Sequence, residues 1–515
     1  MTNPLVKTLD GELQGIEADG TISWRGIPYS QAPTGPRRWM EPQPPSPWAG
    51  VLKAHQFPTR APQILTPGLV PPGGATPSDD GTPMGEDCLF LNITAPSTHV
   101  EGPLPVLVWF HGGGYAWGSG ANFIGDGTGL AREGIIVVTV NYRLGALGFL
   151  KLDHLLGPQY SMSANAGLLD QIAALRWVKQ NIAAFGGDTS RVTVAGVSAG
   201  AKSVANLMAS PLAAGLFHRG IMQSGGEHLN SPESAMAITS GLLNILELPT
   251  NKAELLVTLP TDTLLQAQQE MAAGVRQTWV WRPTIDGLVL HETPTQAFAT
   301  GKAKGISLLA GITANEAGSY DLTDPTAADQ VPRVLQEIFG SRAEEILNTY
   351  RTALPLAEPR ALHRSVLADE RYGIPTIRLL DAQSSHSTCW RYRFDAPTPG
   401  APQEKWGFHG ADVPFIWNIG METSEPSIQA LATGMRQAWT TFISEGKPEA
   451  TDLPFWPEYD SGERRTMLLD TPARVVSDPG KDQRASWSCI QWQPDTWWQL
   501  PALFSPSTPS ERASS

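Results

Sequence analysis

Short apolar runs rich in β-branched residues recur along the chain, and they restrict the possible folds more than any other feature. They occupy 104–110 (LPVLVWF), 135–140 (IIVVTV), 191–196, 220–224, 305–311 and 388–395. Runs of this kind are typical of strands buried on both faces. Helical periodicity separates them, most clearly in 167–182 and 199–210. The alternation predicts an α/β fold, with a large, mostly parallel twisted sheet flanked by helices.

Two regions depart from this alternation. Residues 9–29 alternate around Gly and Asp-Gly turns, which predicts an N-terminal β-hairpin region. Residues of about 320–385 show only helical patterns, so we expect a helical insertion packed on the sheet. We interpret 1–504 as one domain, and 505–515 (SPSTPSERASS) as a disordered tail.

Composition excludes several function classes. The chain of 515 residues has a formal net charge of −13, which argues against a nucleic-acid partner. It contains no apolar run near the roughly 18 residues of a membrane span. Its first residues lack the basic and apolar regions of a secretory signal, so we expect a cytoplasmic location. Three cysteines, at 88, 389 and 489, are too few for a disulfide framework.

The stretch from Gly196 to Gly200 fits the pattern G-x-S-x-G, with Ser198 at its centre. Alone the match is weak, because small residues recur by chance in a chain with 50 glycines and also occur in ordinary strand–helix connections. Here a predicted buried strand precedes the serine and a helix follows it. A serine on such a turn is raised above the sheet, and flanking side chains would clash with neighbouring elements. Ser198 is therefore a candidate nucleophile.

A glycine-rich segment, FHGGGYAWGSG at 110–120, follows another predicted strand. Its glycines allow backbone N–H groups to approach a substrate oxygen. Together with the N–H of Ala199 they would form an oxyanion hole, in which each donor contributes roughly 3–4 kcal/mol. The alternative is a simple glycine-rich turn. We interpret His111 as part of the loop scaffold and not as the catalytic base.

A serine nucleophile needs a base and an orienting acid, in the chain order Ser, acid, His for a strand–turn–helix nucleophile. Glu316 follows a predicted buried strand, in SLLAGITANEAGS. His409 lies later, in WGFHGADVPFIW. Asp412 is a rival acid, although a neighbour three residues from the histidine is more often a local loop contact.

Longer motifs carry a family resemblance over almost the whole chain. They are WRGIPYS (24–30), EDCLFLN (86–92), HGGGYAWG (111–118), NYRLGALGFL (141–150), GLLDQIAALRWVKQNIAAFGGD (167–188), GVSAGA (196–201), IMQSGG (221–226), TANEAGS (313–319), FHGADVPFIW (408–417) and FWPEYD (455–460). With these motifs the chain resembles the type B carboxylesterase and cholinesterase family. The resemblance implies the α/β-hydrolase fold and hydrolysis of carboxylic esters through an acyl-enzyme, without a metal or organic cofactor.

The resemblance also implies roles for individual residues. Ser198 is the expected nucleophile, Glu316 the acid and His409 the base. The expected oxyanion-hole donors are the amides of Gly113, Gly114 and Ala199. Ser224 resembles a buried serine that supports the acid. Two structural ion pairs are expected, Arg38 with Glu86 and Arg143 with Asp170.

Two departures from the family pattern stand out. Ala61 falls where relatives with a stapled loop have a cysteine, so we expect Cys88 to be free and the loop 64–85 to form a mobile wall or lid of the active-site entrance. Val197 replaces the glutamate that many relatives have before the nucleophile. It is either a packing variant or the cause of a drier, less negative pocket that stabilises the charged form of His409 less.

The substrates expected from the resemblance are small to medium esters, including aryl esters and esters of bulky alcohols. The candidate pocket aromatics, each equally well a core residue, are Trp117, Trp281, Phe408 and Phe415. Carbamate or amide hydrolysis by the same triad is an alternative, and a non-catalytic binding member of the fold is another. We expect no nucleic-acid or membrane partner, and a monomer or weak homo-oligomer.

Overall fold

The computed structural model describes residues 4–64, 82–98, 101–121, 127–272, 280–318, 331–399, 406–422, 424–488 and 490. Most of the predicted lid (65–81), the first part of the predicted helical insertion (320–330), Cys489 and the tail lie outside the described residues.

The strands mostly coincide with the apolar runs of the sequence. They are β1 Leu5–Lys7, β2 Glu12–Gln14, β3 Ile16–Ala18, β4 Thr21–Pro28, β5 Val51–Lys53, β6 Phe90–Pro96, β7 Leu104–Phe110, β8 Ile136–Val140, β9 Gly187–Val197, β10 Arg219–Gln223, β11 Ser307–Thr313, β12 Cys389–Phe394, β13 Arg465–Leu469 and β14 Arg474–Ser477. All six predicted buried strands are present, with ends shifted by up to four residues.

Within the described residues, eleven strands form one sheet in the order β14-β13-β12-β11-β10-β9-β7-β8-β6-β4-β3. The seven strands from β13 to β8 are parallel, which confirms the predicted mostly parallel sheet. The strands outside this run, β14 on one side and β6, β4 and β3 on the other, pair antiparallel with their neighbours. Strands β3 and β4 form the hairpin expected in 9–29, whereas β1, β2 and β5 form a separate three-stranded sheet.

The helices lie between and after these strands. They are α1 Thr128–Ala131, α2 Gly145–Phe149, α3 Asp153–Leu156, α4 Ala166–Asn181, α5 Ala199–Ala209, α6 Pro232–Ile245, α7 Thr261–Met271, α8 Pro294–Ala299, α9 Val331–Phe339, α10 Ala343–Ala353, α11 Pro359–Ala368, α12 Ile374–Gln383, α13 Val413–Trp417, α14 Pro426–Glu445 and α15 Lys481–Ser486. A π-helical turn, Asp369–Gly373, joins α11 to α12. Short 3₁₀ segments occur at Gly35–Arg37, Pro158–Tyr160, Ser163–Asn165, Ile182–Phe185, Pro211–Ala213, Thr250–Thr258 and Gly340–Arg342.

Strand β7 shows why its sequence is apolar at every position. Val106, Val108 and Phe110 belong to the core shared with α4 and α5, while Leu107 and Trp109 belong to the core on the other face, shared with α14. Successive side chains of a strand point to opposite faces, so a strand covered on both sides must be apolar throughout.

Four helices, α9 to α12, occupy the described part of the predicted insertion. Buried side chains of α9, α10 and α11 form a third core with Trp487, whose indole N–H donates to the Tyr350 hydroxyl at 2.8 Å. The interpretation of 1–504 as one domain stays a prediction. No helix in the described ranges is long and apolar enough to cross a membrane.

Both expected ion pairs are formed. Arg143 donates to Asp170 through Nε (2.8 Å) and Nη2 (2.7 Å), with both side chains buried. Arg38 donates through Nε to Glu86 at 2.8 Å. Cys88 is buried and unbridged, as expected, and burial raises the pKa of its thiol.

Candidate active site

The candidate site lies at one edge of the sheet, where five neighbouring parallel strands end. In spatial order these strands are β7, β9, β10, β11 and β12. The segments that follow them contain the glycine loop (111–114), Ser198, Ser224, Glu316 and His409, respectively. Carboxyl ends of parallel strands meet at the same edge, which is where open α/β sheets bind ligands. The topology therefore gathers every predicted catalytic residue.

Ser198 occupies the turn between β9 and α5. Its backbone has φ 59° and ψ −119°, a conformation that a residue with a side chain rarely adopts. Its N–H donates to the Gln223 carbonyl at 2.9 Å, which fixes the turn against β10. We call Gly196–Gly200 the nucleophile turn.

Both glycines of the nucleophile turn are required by close backbone contacts. A Cβ on Gly200 would lie 2.0 Å from the Phe110 carbonyl oxygen, and one on Gly196 would lie 2.5 Å from the carbonyl carbon of Gly200. These distances are far inside van der Waals contact. The steric reason inferred from the G-x-S-x-G spacing is therefore present in the structure.

The glycine loop packs directly on the nucleophile turn. A Cβ on Gly112 would lie 2.9 Å from the Val197 carbonyl oxygen and 3.2 Å from the Ser198 Cβ. Gly113 has φ 107°, and a Cβ there would lie 1.9 Å from the Trp117 carbonyl oxygen. The loop backbone thus reaches the serine without any intervening side chain, the position expected of an oxyanion hole.

His111 holds the glycine loop in place. Its ring stacks on that of Tyr142 with centroids 4.4 Å apart, and its Nδ1 donates to the Gly112 carbonyl at 2.8 Å. The Tyr142 hydroxyl donates back to the His111 carbonyl at 2.8 Å. Burial lowers the pKa of His111 to about 4, so the ring is neutral near pH 7. These contacts agree with the scaffold role inferred from sequence.

Glu316 and His409 form a hydrogen-bonded pair. Oε2 of the buried Glu316 accepts a hydrogen bond from Nδ1 of His409, and its Oε1 accepts one from the Thr313 N–H at 2.8 Å. Because the carboxylate accepts a hydrogen bond from Nδ1–H, the proton of the neutral ring stays on Nδ1 and the lone pair is at Nε2. That Nε2 has no hydrogen-bond partner among the described residues, and Ser198 Oγ is not bonded to it.

Backbone contacts hold the Glu316 and His409 segments side by side. The Asn315 N–H donates to the Gly407 carbonyl at 2.9 Å, and Asn315 forms an isolated parallel bridge with Phe408. The Ala314 N–H donates to the Phe394 carbonyl, also at 2.9 Å. Backbone hydrogen bonds of the residues adjacent to Glu316 and His409 therefore hold the acid and the base in position.

Asp412, the rival acid, has other partners. Its Oδ2 accepts from the Tyr392 hydroxyl at 2.7 Å and from Gln223 Nε2 at 3.0 Å. Burial raises the pKa of its carboxyl group. The imidazole of His409 contacts Glu316 instead, whereas the carboxylate of Asp412 bonds Tyr392 and Gln223.

Ser224 does not make the contact expected of it. It lies at the end of β10 with φ 54°, and its N–H donates to the Gly311 carbonyl at 2.8 Å. Its buried Oγ has no hydrogen-bond partner within the described part of the chain. The Thr313 amide, not the Ser224 hydroxyl, supports the carboxylate of Glu316 in this structure.

Val197 lies between the glycine loop and the His409 segment. Its Cγ1 would be 3.3 Å from a Cβ on Gly112, and its Cγ2 3.9 Å from a Cβ on Gly410. The side chain is 9% exposed and belongs to the core shared with α14. Its surroundings are those of a packing residue at the edge of the site.

The four candidate pocket aromatics divide into two pairs. Phe415 is fully buried against Phe394, with ring centroids 4.8 Å apart, and Trp281 is buried in the core shared with α4 and α5. Both side chains pack in the apolar core and do not line an open surface. Trp117 and Phe408 are half-buried beside the glycine loop and the Glu316 segment, and they remain candidates.

Sequence reasoning missed two residues near the imidazole. The Tyr372 ring lies with its centroid 4.6 Å from that of His409, and the Lys202 ammonium lies 5.2 Å from the Tyr372 centroid. Lys202 had a visible signal, a charged residue one turn after the nucleophile in an apolar helix. Tyr372 had none, because its position depends on how the helical insertion packs.

A serine on a strained strand–helix turn, beside a glycine loop and a carboxylate–histidine pair, defines a serine hydrolase of the α/β-hydrolase fold. Comparisons with known proteins identify the family. The model of the Carboxylesterase family matches residues 2–487. The chain is therefore a member of the carboxylesterase family.

Individual relatives agree with this assignment. The para-nitrobenzyl esterase of Bacillus subtilis is 35% identical over 501 residues, which cover 94% of this chain and 98% of the relative. The phenmedipham hydrolase of Pseudarthrobacter oxydans is 32% identical over 509 residues, with 94% and 99% coverage. The crystal structure of a Geobacillus stearothermophilus carboxylesterase superposes with a TM-score of 0.83 at 35% identity, covering 94% of this chain and all of that one. The protein is a carboxylesterase.

Proposed function

We propose that Ser198, His409 and Glu316 are the catalytic triad of this carboxylesterase. The observation that carries the proposal is the imidazole of His409, whose Nδ1 is bonded to Glu316 while its Nε2 has no bonded partner among the described residues. A base held in this tautomer is ready to accept a hydroxyl proton. Catalytic hydrogen bonds are often open in the absence of substrate, so the missing bond from Ser198 fits a resting enzyme.

In the first half-reaction, Ser198 Oγ attacks the ester carbonyl carbon while Nε2 of His409 takes the hydroxyl proton. The tetrahedral intermediate collapses when the bond to the alcohol oxygen breaks, and the imidazolium returns the proton to that oxygen. In the second half-reaction, water repeats the attack on the acyl-enzyme with the same base. The carboxylic acid product is released, and His409 returns the proton to Ser198. Glu316 orients the ring and stabilises the imidazolium throughout.

The amides of Gly113, Gly114 and Ala199 are the proposed oxyanion hole. Gly113 and Gly114 both have positive φ (107° and 59°), and Ala199 is the first residue of α5, so its N–H is not used within the helix. Donors fixed by the backbone stabilise the developing oxyanion without reorganisation, at roughly 3–4 kcal/mol each.

The proposed substrates are small to medium carboxylic esters, including aryl esters and esters of bulky alcohols. The relative named for para-nitrobenzyl esters supports aromatic alcohols as leaving groups. Trp117 and Phe408 are the proposed aromatic walls of the pocket. A cytoplasmic location and a monomeric or weakly associated state complete the proposal.

The test is turnover of p-nitrophenyl acetate and butyrate by the wild type and by Ser198→Ala. The variant should lose about 10⁶-fold in kcat. Ser190→Ala is the matched control, because this exposed serine bonds Asp188 at the opposite end of β9. Full activity in Ser198→Ala would overturn the assignment. A panel of matched ester, carbamate and amide substrates then ranks the three chemistries by kcat/KM.

A further inference from the structure

A buried side chain from another part of the chain holds the segment that follows the glycine loop. Gln63, 3% exposed, lies in an irregular segment after β5. Its Oε1 accepts a hydrogen bond from the Gly118 N–H at 2.9 Å, and its Nε2 donates to the Gly118 carbonyl at 3.0 Å. Nε2 also donates to the Ala61 carbonyl at 2.9 Å. We call the two bonds with Gly118 the Gln63–Gly118 pair.

The Gln63–Gly118 pair replaces a pairing between two strands. A side-chain amide has a carbonyl and an N–H in one plane, like a peptide group. Gln63 therefore offers Gly118 the donor and the acceptor that a neighbouring strand would offer, although its own segment is not a strand. Gly118 is buried, so loss of the amide would take a hydrogen-bond partner from each of two buried backbone groups.

A second side chain joins the same two segments. Asn141 Oδ1 accepts from the Gly120 N–H at 2.7 Å, and its Nδ2 donates to the Thr59 carbonyl at 3.3 Å. Two side-chain amides therefore hold 118–120 against 59–63. The Gln63–Gly118 pair is the one nearer in sequence to the glycine loop.

Gly118 lies in direct contact with the glycine loop. Its φ is 119°, and a Cβ there would lie 2.2 Å from His111 Nδ1 and 2.6 Å from the Gly112 carbonyl oxygen. These two atoms form the hydrogen bond that holds the loop, in which His111 Nδ1 donates to Gly112. A displacement of Gly118 would therefore disturb that hydrogen bond.

The same contacts orient the amides of the proposed oxyanion hole. In a trans peptide the carbonyl and the N–H point in opposite directions. The bond from the histidine ring holds the Gly112 carbonyl, and this directs the Gly113 N–H to the other side. The N–H groups of 116–117 hold the Gly113 carbonyl at 3.0 and 3.1 Å, and this directs the Gly114 N–H in the same way. The turn that holds this carbonyl leads directly into the residue bonded to Gln63.

We propose that Gln63 is a positioning residue for the oxyanion hole. Its paired bonds with Gly118 keep the Gly113 and Gly114 amides aligned with the developing oxyanion. The inference rests on the proposed function, because these amides act on an intermediate formed at Ser198. Donors that are aligned before the reaction stabilise the oxyanion without reorganisation, and a small displacement of them slows the reaction.

The test is Gln63→Leu, which approximately keeps the volume of the side chain and removes its hydrogen bonds. Both half-reactions pass through an oxyanion, so kcat for p-nitrophenyl acetate should fall about tenfold or more. The substrate carbonyl has little negative charge before the attack, so KM should change by less than about threefold. Wild-type kcat in Gln63→Leu would overturn the proposal.

Gln383→Leu is the matched control. Gln383 is also fully buried, and it donates to the backbone carbonyls of Ala303 at 2.9 Å and Ile306 at 2.8 Å, near the start of β11. Both variants should lower the melting temperature by several degrees. Gln383→Leu should nevertheless keep kcat within about twofold of the wild type. Equal losses of kcat in the two variants would mean that Gln63 contributes to stability alone, and the proposal would fall.

A milder variant, Gln63→Asn, keeps the test decisive if Gln63→Leu does not fold. It retains an amide but shortens the side chain by one carbon, so both bonds with Gly118 weaken while the site stays polar. We expect kcat to fall about threefold or more, again with little change in KM. An unchanged kcat in Gln63→Asn would likewise contradict the positioning role.

A pair of ketone inhibitors measures the oxyanion hole directly. Benzyl trifluoromethyl ketone forms a hemiketal with a serine nucleophile and places its oxygen in the oxyanion hole, whereas benzyl methyl ketone binds as the intact ketone. In Gln63→Asn and Gln63→Leu, the inhibition constant of the trifluoromethyl ketone should rise by about the factor by which kcat/KM falls. That of the methyl ketone should stay near the wild-type value. An equal change for both ketones would refute the positioning role.

The failure of this inference differs from the failure of the proposed function. If Ser198→Ala retains ester turnover, the proposed function is wrong. If Ser198→Ala loses turnover while the Gln63 variants keep wild-type kcat, the nucleophile stands and only the role of Gln63 is wrong.

Discussion

The two halves of the candidate site are built by different forces. The nucleophile turn and the glycine loop consist of small residues in backbone contact, and Gly200 has no room for a single extra carbon beside Phe110. The acid–base half, with Glu316 and His409, is held by hydrogen bonds. Shape therefore fixes the nucleophile, and hydrogen bonding fixes the base.

This difference separates the consequences of mutation. A change of volume in the first half should damage the fold together with activity. A change of charge or hydrogen bonding in the second half should damage activity and leave the fold largely intact.

The largest effect is expected at the acid. Glu316→Gln keeps the volume of the side chain but replaces the carboxylate that accepts from His409 Nδ1. With the imidazole tautomer no longer fixed, kcat should fall by about 10⁴-fold, as when the orienting carboxylate of other serine hydrolases is replaced. The melting temperature should stay within a few degrees of the wild type. Steady-state kinetics and a thermal melt measure the two quantities.

Asp412→Asn is the matched control for the acid. Its carboxylate bonds Tyr392 and Gln223, not His409, so kcat should change by no more than about tenfold. A larger loss of kcat in Asp412→Asn than in Glu316→Gln would exchange the roles of the two residues.

The next largest effect belongs to the nucleophile turn. Gly200→Ala places a Cβ 2.0 Å from a carbonyl oxygen, and we expect it to lower the free energy of unfolding by about 3 kcal/mol or more, together with activity. Gly134→Ala is the comparison, because Gly134 has φ 85° with no atom near its Cβ position. It should cost about 1 kcal/mol from backbone strain alone. Denaturant unfolding measures the free energy of unfolding of both variants. An equal decrease in Gly200→Ala and Gly134→Ala would contradict the steric explanation.

The glycine loop predicts a pH dependence of stability. In the folded protein the pKa of His111 is lowered to about 4, against about 6.5 when unfolded. The contribution of the neutral His111 ring to the free energy of unfolding is therefore complete above pH 6.5. It is lost as the pH falls toward 4. Between pH 7 and pH 5 the free energy of unfolding should drop by about 2 kcal/mol through this residue.

The variant His111→Gln isolates this contribution. It should flatten the slope of the unfolding free energy against pH over that window, whatever its constant offset. His386→Gln, which removes a half-buried histidine bonded to the Ala299 carbonyl, is the control and should leave the slope near that of the wild type. Identical slopes in His111→Gln and the wild type would refute the prediction.

The smallest effect is expected at Val197, where the two halves meet. Val197→Glu places a carboxylate between the glycine loop and the His409 segment, where it would stabilise the imidazolium. The acidic limb of kcat/KM against pH should move upward by up to about one unit, while Val197→Gln, of similar size, leaves it in place. An unmoved limb in Val197→Glu would show that Val197 is a packing variant alone.

The sequence predicted the first half of the site better than the second. A local steric constraint determines the residues at Gly196, Ser198 and Gly200. Such a constraint produces a recognisable pattern in neighbouring sequence positions. The order of the sheet then brings the ends of β9, β11 and β12 together, so Glu316 and His409 were also within reach of sequence reasoning.

Contacts between distant segments were not predictable in the same way. The amide of Thr313 supports the acid where Ser224 was expected, and Tyr372 reaches His409 from a helical insertion whose packing no local pattern encodes. Phe415 and Trp281 were predicted as pocket residues but lie in the core. The sequence alone does not distinguish an aromatic residue that lines a pocket from one that packs in a core. The antiparallel strands, such as β6, also depend on pairing with segments that are far away in sequence.

The central claim is that Ser198 carries the acyl group during turnover. Rapid acid quench of the wild type with a p-nitrophenyl ester, followed by intact-protein and peptide mass spectrometry, tests it directly. We expect one added acyl mass per chain, located at Ser198. It should accumulate further in variants that deacylate slowly and be absent in Ser198→Ala. An acyl group on another residue, or undiminished turnover by Ser198→Ala, would contradict it.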